Sequence, residues 1–426
     1  MVSKHYDWKD GPAELKPHSL AKHEVIQLYL TEYFERLCLS NWNREELRLS
    51  IVDAFSGGGQ YIYNENLVYG SPLILLNCEK EARFKLSNSG RTKPFNLDVS
   101  YFFVDNNRHA VSYLKNLLVQ EGYKNQINSK IHIFEDDFQM QADNIIAKIK
   151  KKSPKNGRSI FVLDQYGYAN VPLNLISKIL QSLPTSEIIL TFAVDSLLNF
   201  VTDKNDQTKK ILSNLDFSET VINELIKNGT DGQQRLALQI LLLDDIVKKS
   251  TASYYTPFFV RGSQGHGSFW LLHLSQHKRA RDVMAGVHWK AHNHFIHYGG
   301  AGLNMLGMLG YSQKHDLDDL FESKSQLGLS FDFDTTAREK SIEALVTHLK
   351  KIIVANEDGI SLDELYATTC NSSPATSEIY KEAIAVLSSQ KQVEVTSVDG
   401  KERRAGNQNI KDSDLIIISK QNSFFF

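Results

Sequence analysis

Short apolar runs alternate with longer segments of helical spacing along the first two thirds of the chain. Residues 47–52, 99–104, 130–134, 159–163 and 187–193 are rich in aliphatic and aromatic side chains, the length and make-up of strands buried in a sheet. Leu20, Val25, Leu28, Leu30, Phe34 and Leu37 approximate helical spacing, with Ser19 as a cap, ahead of the first strand. Pro72 suits the first turn of a second helix capped by Ser71. Ala110, Leu114, Leu117 and Leu118 outline a third helix, and residues 197–250 read as further helices. Residues 254–260 and 268–274 read as paired strands around a glycine-containing turn. Strands alternating with helices and closing on an antiparallel pair predict an α/β, doubly wound Rossmann-like sheet.

The pattern changes towards the C-terminus. Residues 311–338 are acidic and mixed, and predict a linker. Beyond them Ile342, Leu345, Val346, Leu349, Ile352 and Ile353 mark a helix, and Ser361 with Glu364 forms a capping box. A third helix over 376–390 and apolar runs at 393–395 and 415–418, flanking a turn at Gly400, complete a winged-helix-like pattern. Such modules read DNA or bind protein; Lys381 is the one clear cation of the third helix, which favours protein. The expected division is a Rossmann domain over 1–310, a linker over 311–338 and a winged-helix-like domain over 339–426. Residues 1–19, polar and broken by Gly11, Pro12 and Pro17, predict a surface arm, and residues 84–97 an irregular insertion.

Composition narrows the function classes only modestly. With 48 Lys and Arg against 50 Asp and Glu, the net charge of −2 gives no global attraction to nucleic acid or anionic membrane. A nucleic-acid contact would need a local patch, and the run Lys148, Lys150, Lys151, Lys152, Lys155 and Arg158 is the candidate. Cys38, Cys78 and Cys370 are too scattered for a disulfide framework or a zinc site. His288 and His292 stand one helical turn apart, but no third metal ligand can be named. Without a signal-like start or an apolar run long enough to span a bilayer, the expectation is a cytoplasmic protein with no membrane partner.

The chemistry gathers at strand ends. The first strand runs into Asp53-Ala54-Phe55-Ser56-Gly57-Gly58-Gly59, where consecutive glycines permit a tight turn and close approach of a ligand to the main chain. The loop lacks both the phosphate-binding G-x-x-x-x-G-K-[ST] pattern and a full G-x-G-x-x-G. A ligand loop and a ligand-free structural turn both fit the glycines. Its D-x-F-x-G-x-G form resembles the first motif of S-adenosylmethionine (SAM)-dependent methyltransferases. Asp105 ends the second strand, where such sheets hold a ribose diol, although it could instead cap the next helix. It follows the glycine loop by far more than the usual ~20 residues. Asp136, beyond the third strand, could accept a hydrogen bond from an adenine amino group or belong to a solvated turn. The fourth strand stops at Asp164-Gln165-Tyr166-Gly167-Tyr168. This resembles the D-P-P-Y type motif of amino-methyltransferases, with the stacking ring either Tyr166 or Tyr168.

Together, Lys22-His23-Glu24-Val25, the glycine loop through Gln60-Tyr61, Gly70-Ser71-Pro72-Leu73 and Asp164-Gln165-Tyr166-Gly167 resemble the bacterial three-Cys-motif partner (TcmP) family. That family carries D-G-F-A-G-P-G-x-Y, G-S-P-L and D-P-F-G at these places; this chain departs at Ala54, Ser56, Gly58 and Gln165-Tyr166. The resemblance implies a methyltransferase-like sheet with SAM as cofactor, held by Asp53, Phe55, Gly57, Gly58, Gly59, Ser71, Asp105 and Asp136. Asp164 and Tyr166 become the catalytic pair facing a nitrogen acceptor on nucleic acid or a protein partner. It also implies an alternative: a non-catalytic partner of a three-cysteine, radical-SAM-like protein.

Overall fold

In a computed structural model, residues 6–165, 170–193, 197, 205–228, 235–261, 268–291, 301–303, 333–404 and 406–419 are described. The chain divides into two compact units, Met1–Arg281 and Asp282–Phe426.

The first unit begins with a two-residue strand β1 (Ala13–Glu14) and helix α1 (Pro17–Phe34). Strands β2 (Glu46–Asp53), β3 (Gln60–Tyr63) and β4 (Asn66–Tyr69) follow, then α2 (Ser71–Ser87), β5 (Asn96–Asp105), α3 (Arg108–Gln120), β6 (Ile131–Glu135) and α4 (Phe138–Lys152). Next come β7 (Ser159–Leu163), α5 (Leu173–Ser182), β8 (Ser186–Phe192), α6 (Asn205–Asn214), α7 (Glu219–Asn228), α8 (Arg235–Ser250), β9 (Tyr254–Arg261) and β10 (Ser268–Ser275). The large sheet has the order β6-β5-β2-β7-β8-β10-β9. Its first five strands are parallel, and β10 runs antiparallel to both β8 and β9. Counted along the chain, this is 3-2-1-4-5-7-6 with the last strand reversed, the arrangement of the SAM-dependent methyltransferase sheet. Every residue of β7 and β8 is buried, as parallel strands covered on both faces must be.

Several boundaries differ from the expectation for local reasons. Helix α1 starts at Pro17, which supplies a preset φ for the first turn, and Lys16 rather than Ser19 precedes it. Gly70, not Ser71, occupies the cap of α2, so Ser71 lies in the first turn. The expected insertion over 84–97 is half regular, because α2 continues to Ser87 and β5 begins at Asn96. The segment between is organised by Arg91, whose guanidinium donates to the carbonyls of Cys38, Asn41, Trp42 and Arg44. The polar arm is not a surface feature either. Trp8, Ala13 and Leu15 are buried with Tyr61 and Ala110, and β1 pairs in parallel with β3 in a small sheet of order β1-β3-β4.

Helix α1 is fastened to the sheet by a buried polar set. The Tyr29 hydroxyl donates to Glu187 of β8, and His273 Nε2 of β10 lies 3.3 Å from both groups. Cys38, Cys78 and Cys370 are buried free thiols.

The second unit takes in residues from Asp282, on helix α9 (Lys278–Lys290), then α10 (Thr335–Ala355), β11 (Ile360–Ser361), α11 (Leu362–Thr369), α12 (Ser377–Ser389), β12 (Val393–Thr396) and β13 (Leu415–Ile418). Its antiparallel sheet has the order β11-β13-β12, which gives a winged helix. The Ser361 hydroxyl accepts from Glu364 N as the capping box requires, and Thr376 caps α12. Asp282 accepts hydrogen bonds from the Tyr366 hydroxyl at 2.9 Å and from Ser377 N at 2.7 Å. Trp289 Nε1 donates to the Pro374 carbonyl at 2.9 Å. His288 is buried beside Phe333; His292 lies outside the described residues, as does most of the segment expected to be a linker. No described helix is long and apolar enough to cross a membrane.

Candidate ligand cleft at the strand ends

The carboxyl ends of β2, β5, β6 and β7 open into a cleft of about 820 Å³, the size of a pocket that holds one cofactor-sized molecule. Ligands of open α/β sheets bind at this edge, beside the reversal of strand order. Here the reversal falls at β2, with β5 on one side and β7 on the other.

Asp53 ends β2 and is fully buried. One carboxylate oxygen accepts from Phe55 N at 3.4 Å, and Ser71 also hydrogen-bonds the side chain. The other oxygen, Oδ2, has no protein partner. Burial pushes the carboxyl up to about 7, helped by the charges of Asp164 and Asp105 and opposed by the Ser71 and Phe55 hydrogen bonds. An orphaned, reluctant carboxylate beside a cleft is the group a cationic ligand would satisfy.

The glycine loop is braced from beneath and covered from above. Gly57 N donates to Asp105 Oδ2 at 2.8 Å, and Asn107 N donates to Asp105 Oδ1 at 2.8 Å. Asp105 is therefore not a helix cap: Asn107 caps α3, accepting from His109 N and Ala110 N. Burial raises the Asp105 carboxyl against the lowering effect of those two hydrogen bonds. Gly57 has φ +58°, and a Cβ there would lie 2.6 Å from the Tyr61 hydroxyl. At Gly58 a Cβ would stand 2.2 Å from Trp8 Nε1, because the indole of the arm lies flat on the loop. At Gly59, φ +79°, it would meet Leu114 and Leu73. All three glycines are thus explained by close packing. The long interval between the loop and Asp105 is filled by the β3–β4 hairpin and α2.

Asp136 accepts from Asp137 N and from Gln141 Nε2, at 2.8 and 2.7 Å, and lines the cleft with Asp137 and Phe138. Phe55, Gly57, Ser71, Asp105 and Asp164 also line it.

At the end of β7, Asp164 is paired with Lys22 of α1, Nζ to Oδ1, at 2.6 Å. Burial works to raise this carboxyl, but the Lys22 ammonium and hydrogen bonds from Lys22 and Thr191 outweigh it. The net effect holds Asp164 below the usual carboxylate range. His23, next on α1, also lines the cleft, and its Nδ1 has no partner among the described residues. Burial brings it down to about 4; the Asp164 charge opposes this and Lys22 adds to it, so the imidazole is neutral at pH 7. Gln165 is buried, and its Oε1 accepts from Asn170 N and Val171 N at 3.0 and 3.2 Å. Its Nε2 is left without a partner. Tyr166, Gly167 and Tyr168 lie outside the described residues.

Seven of the anticipated positions, Phe55, Gly57, Ser71, Asp105, Asp136 and Asp164 on the cleft wall and Asp53 directly beneath Ser71, thus share one edge of the sheet. Gly58 and Gly59 serve the packing of the loop. The arm residues Tyr6, Trp8, Leu15 and Lys16 also form the wall. They were missed because a polar, proline-broken stretch carries no periodicity; the one signal was the aromatic pair Tyr6 and Trp8 in an otherwise polar segment.

The basic run does not serve the cleft. Helix α4 starts beside Asp136 and carries Lys150 and Lys151 to its far end, at the opposite edge of the sheet. Lys152 turns inward and donates to the carbonyls of Leu49 and Asp98 and to Ser100 Oγ, at 3.1, 3.0 and 2.8 Å.

A family model described as a GMT-like wHTH domain matches residues 316–400. No curated protein matches the chain. Solved structures similar to it include the methyltransferase domain of delta-N METTL16, at 10% identity over 59% of this chain and 83% of that one, with a TM-score of 0.25. Another is the plantazolicin methyltransferase BamL in complex with a triazolic desmethylPZN analog and SAH, at 11% identity over 61% and 85%, with a TM-score of 0.24. The fold assignment rests on the strand order, not on these alignments.

Proposed function

We propose that the first unit is a SAM-dependent methyltransferase acting on a nitrogen of a nucleic acid or a protein partner. The observation that carries this reading is the convergence of Asp53, Asp105 and Asp136 at successive strand ends around one cleft of cofactor size. The orphaned Oδ2 of Asp53 suits the ammonium of the cofactor's amino-acid end. Phe55, the glycine loop and Ser71 would lie along that end, Asp105 would take the ribose and Asp136 the adenine. When bound, the cofactor supplies a sulfonium methyl group for in-line transfer. Asp164 and Tyr166 are assigned to the acceptor, the first accepting an N–H bond and the second stacking.

The pairing of Asp164 with Lys22 supports a second reading, in which the carboxylate is structural and the protein binds partners without turnover. A three-cysteine-motif protein would be such a partner. In the winged helix Lys381 is paired with Glu378 and Asp412, Arg338 with Glu382 and Arg403 with Asp414. Cations so engaged favour a protein ligand over DNA.

Calorimetry with SAM on the full chain, followed by a mass-shift assay on candidate acceptors, separates the readings. Binding with transfer is the expected result; binding without transfer to any acceptor favours the partner role; no binding removes both cofactor assignments.

A further inference from the structure

We infer that the acceptor end of the cleft selects an uncharged nitrogen that carries an N–H beside a hydrogen-bond acceptor atom, and rejects cationic amines. This rests on the methyltransferase reading and adds the chemistry of the substrate. The observation is the composition of the β7 end. Asp164 holds the negative charge there, and Lys22 already neutralises it at 2.6 Å. A lysine or arginine side chain entering this end would bring a second cation next to the Lys22 ammonium, with no uncompensated anion to receive it. A neutral N–H needs only a lone pair of the oriented carboxylate, which Lys22 and Thr191 hold in place.

The neighbouring groups are also uncharged. His23 is neutral, with Nδ1 unpartnered. Gln165 is fixed through Oε1, which leaves Nε2 as a buried donor awaiting an acceptor. A buried polar atom without a partner costs about 1–3 kcal/mol, so a ligand that satisfies Nε2 recovers that cost. Asp164 as acceptor and Gln165 Nε2 as donor, adjacent in sequence, complement the edge of a carboxamide or of an amino-bearing nucleobase. In the transfer, the nitrogen lone pair forms the N–CH3 bond as the S–CH3 bond breaks. That bond's electron pair returns to sulfur as a neutral thioether, and the N–H proton leaves to solvent. Asp164, ionised throughout, draws the N–H into place and makes the lone pair available.

The test uses the full chain saturated with SAH, with affinities read by ligand-observed NMR at pH 7.5 for cytidine, acetyl-glutamine methylamide and acetyl-lysine methylamide. Failure of SAH to bind counts against the methyltransferase reading itself. With SAH bound, cytidine or the glutamine probe is expected to bind about tenfold or more tightly than the lysine probe; which one does so identifies the source of the edge. Lys22→Met should erase the preference, Lys22→Arg should keep it, and Gln165→Leu should weaken the neutral probe about tenfold. A lysine probe that binds as well as the neutral ones, or a preference unchanged in both Lys22→Met and Gln165→Leu, overturns the inference. If Lys22→Met does not fold, Gln165→Leu decides.

Discussion

Asp53 shows how far a single side chain can be read before and after folding. Its place at a strand end was legible from the apolar run that precedes it; its electrostatic state was not, because that depends on burial and on Asp105 and Asp164, which come from other strands. Its carboxyl titrates near 7 in the fold against an ordinary value of 3.8. Between those pH values the folded protein holds a proton that the unfolded chain releases, so its contribution to stability falls as pH rises through about 7. Asp53→Asn should therefore match or exceed the wild-type Tm at pH 8 and show no gain at pH 4, as calorimetry at the two pH values would reveal. On the cofactor reading, SAM affinity should rise between pH 5.5 and 7 as Asp53 ionises, and Asp53→Asn should flatten that rise. Asp164 differs in kind: its strand end was visible in sequence, whereas Lys22 lies 142 residues earlier and only the packing of α1 brings them together.

Among the elements, strands were the most readable and connections the least. Residues 159–163 form β7 as expected, because a short apolar run before an acid has few alternatives. The arm was misjudged because β1 is held by pairing with β3 and by one indole, and neither leaves a period in the sequence. Gly58 has a backbone that alanine could adopt, so its substitution tests the arm alone. Gly58→Ala should cost about 1–3 kcal/mol by overpacking against Trp8, and Trp8→Ala in the same chain should remove most of that extra cost. Denaturant titrations of the four proteins of the cycle measure it. Helix α4 gives a second contrast. Lys152→Met strips three hydrogen bonds from the sheet and should destabilise by about 1–3 kcal/mol. Lys150→Glu and Lys151→Glu, both exposed, should stay within about 0.5 kcal/mol in the same titration.

Across the chain, the two-part organisation was visible in the change of pattern near residue 339, but its border was not. Residues from Asp282 to Trp289 look like the end of the first domain in sequence, yet Asp282 and Trp289 are bonded to Tyr366, Ser377 and Pro374 of the winged helix. A chain lacking residues 339–426 should accordingly be poorly soluble, since it keeps Met284 and Val287, both fully buried in the intact protein, without their covering. A chain ending at Arg281 should be recovered in higher yield with one cooperative melting transition. Equal behaviour of the two truncations would place the border elsewhere.

The indole of Trp8 has a practical consequence. Of the four tryptophans of the chain, Trp42 is exposed, Trp270 is deep in the sheet and Trp289 belongs to the winged helix. Trp8 alone among them touches the cleft, with its ring on the glycine loop and its N–H on the Gln60 carbonyl. The chain therefore carries a built-in fluorophore at the mouth of its own site. Emission that shifts on adding a ligand, and no longer does so in Trp8→Phe, would report occupancy before any acceptor has been found.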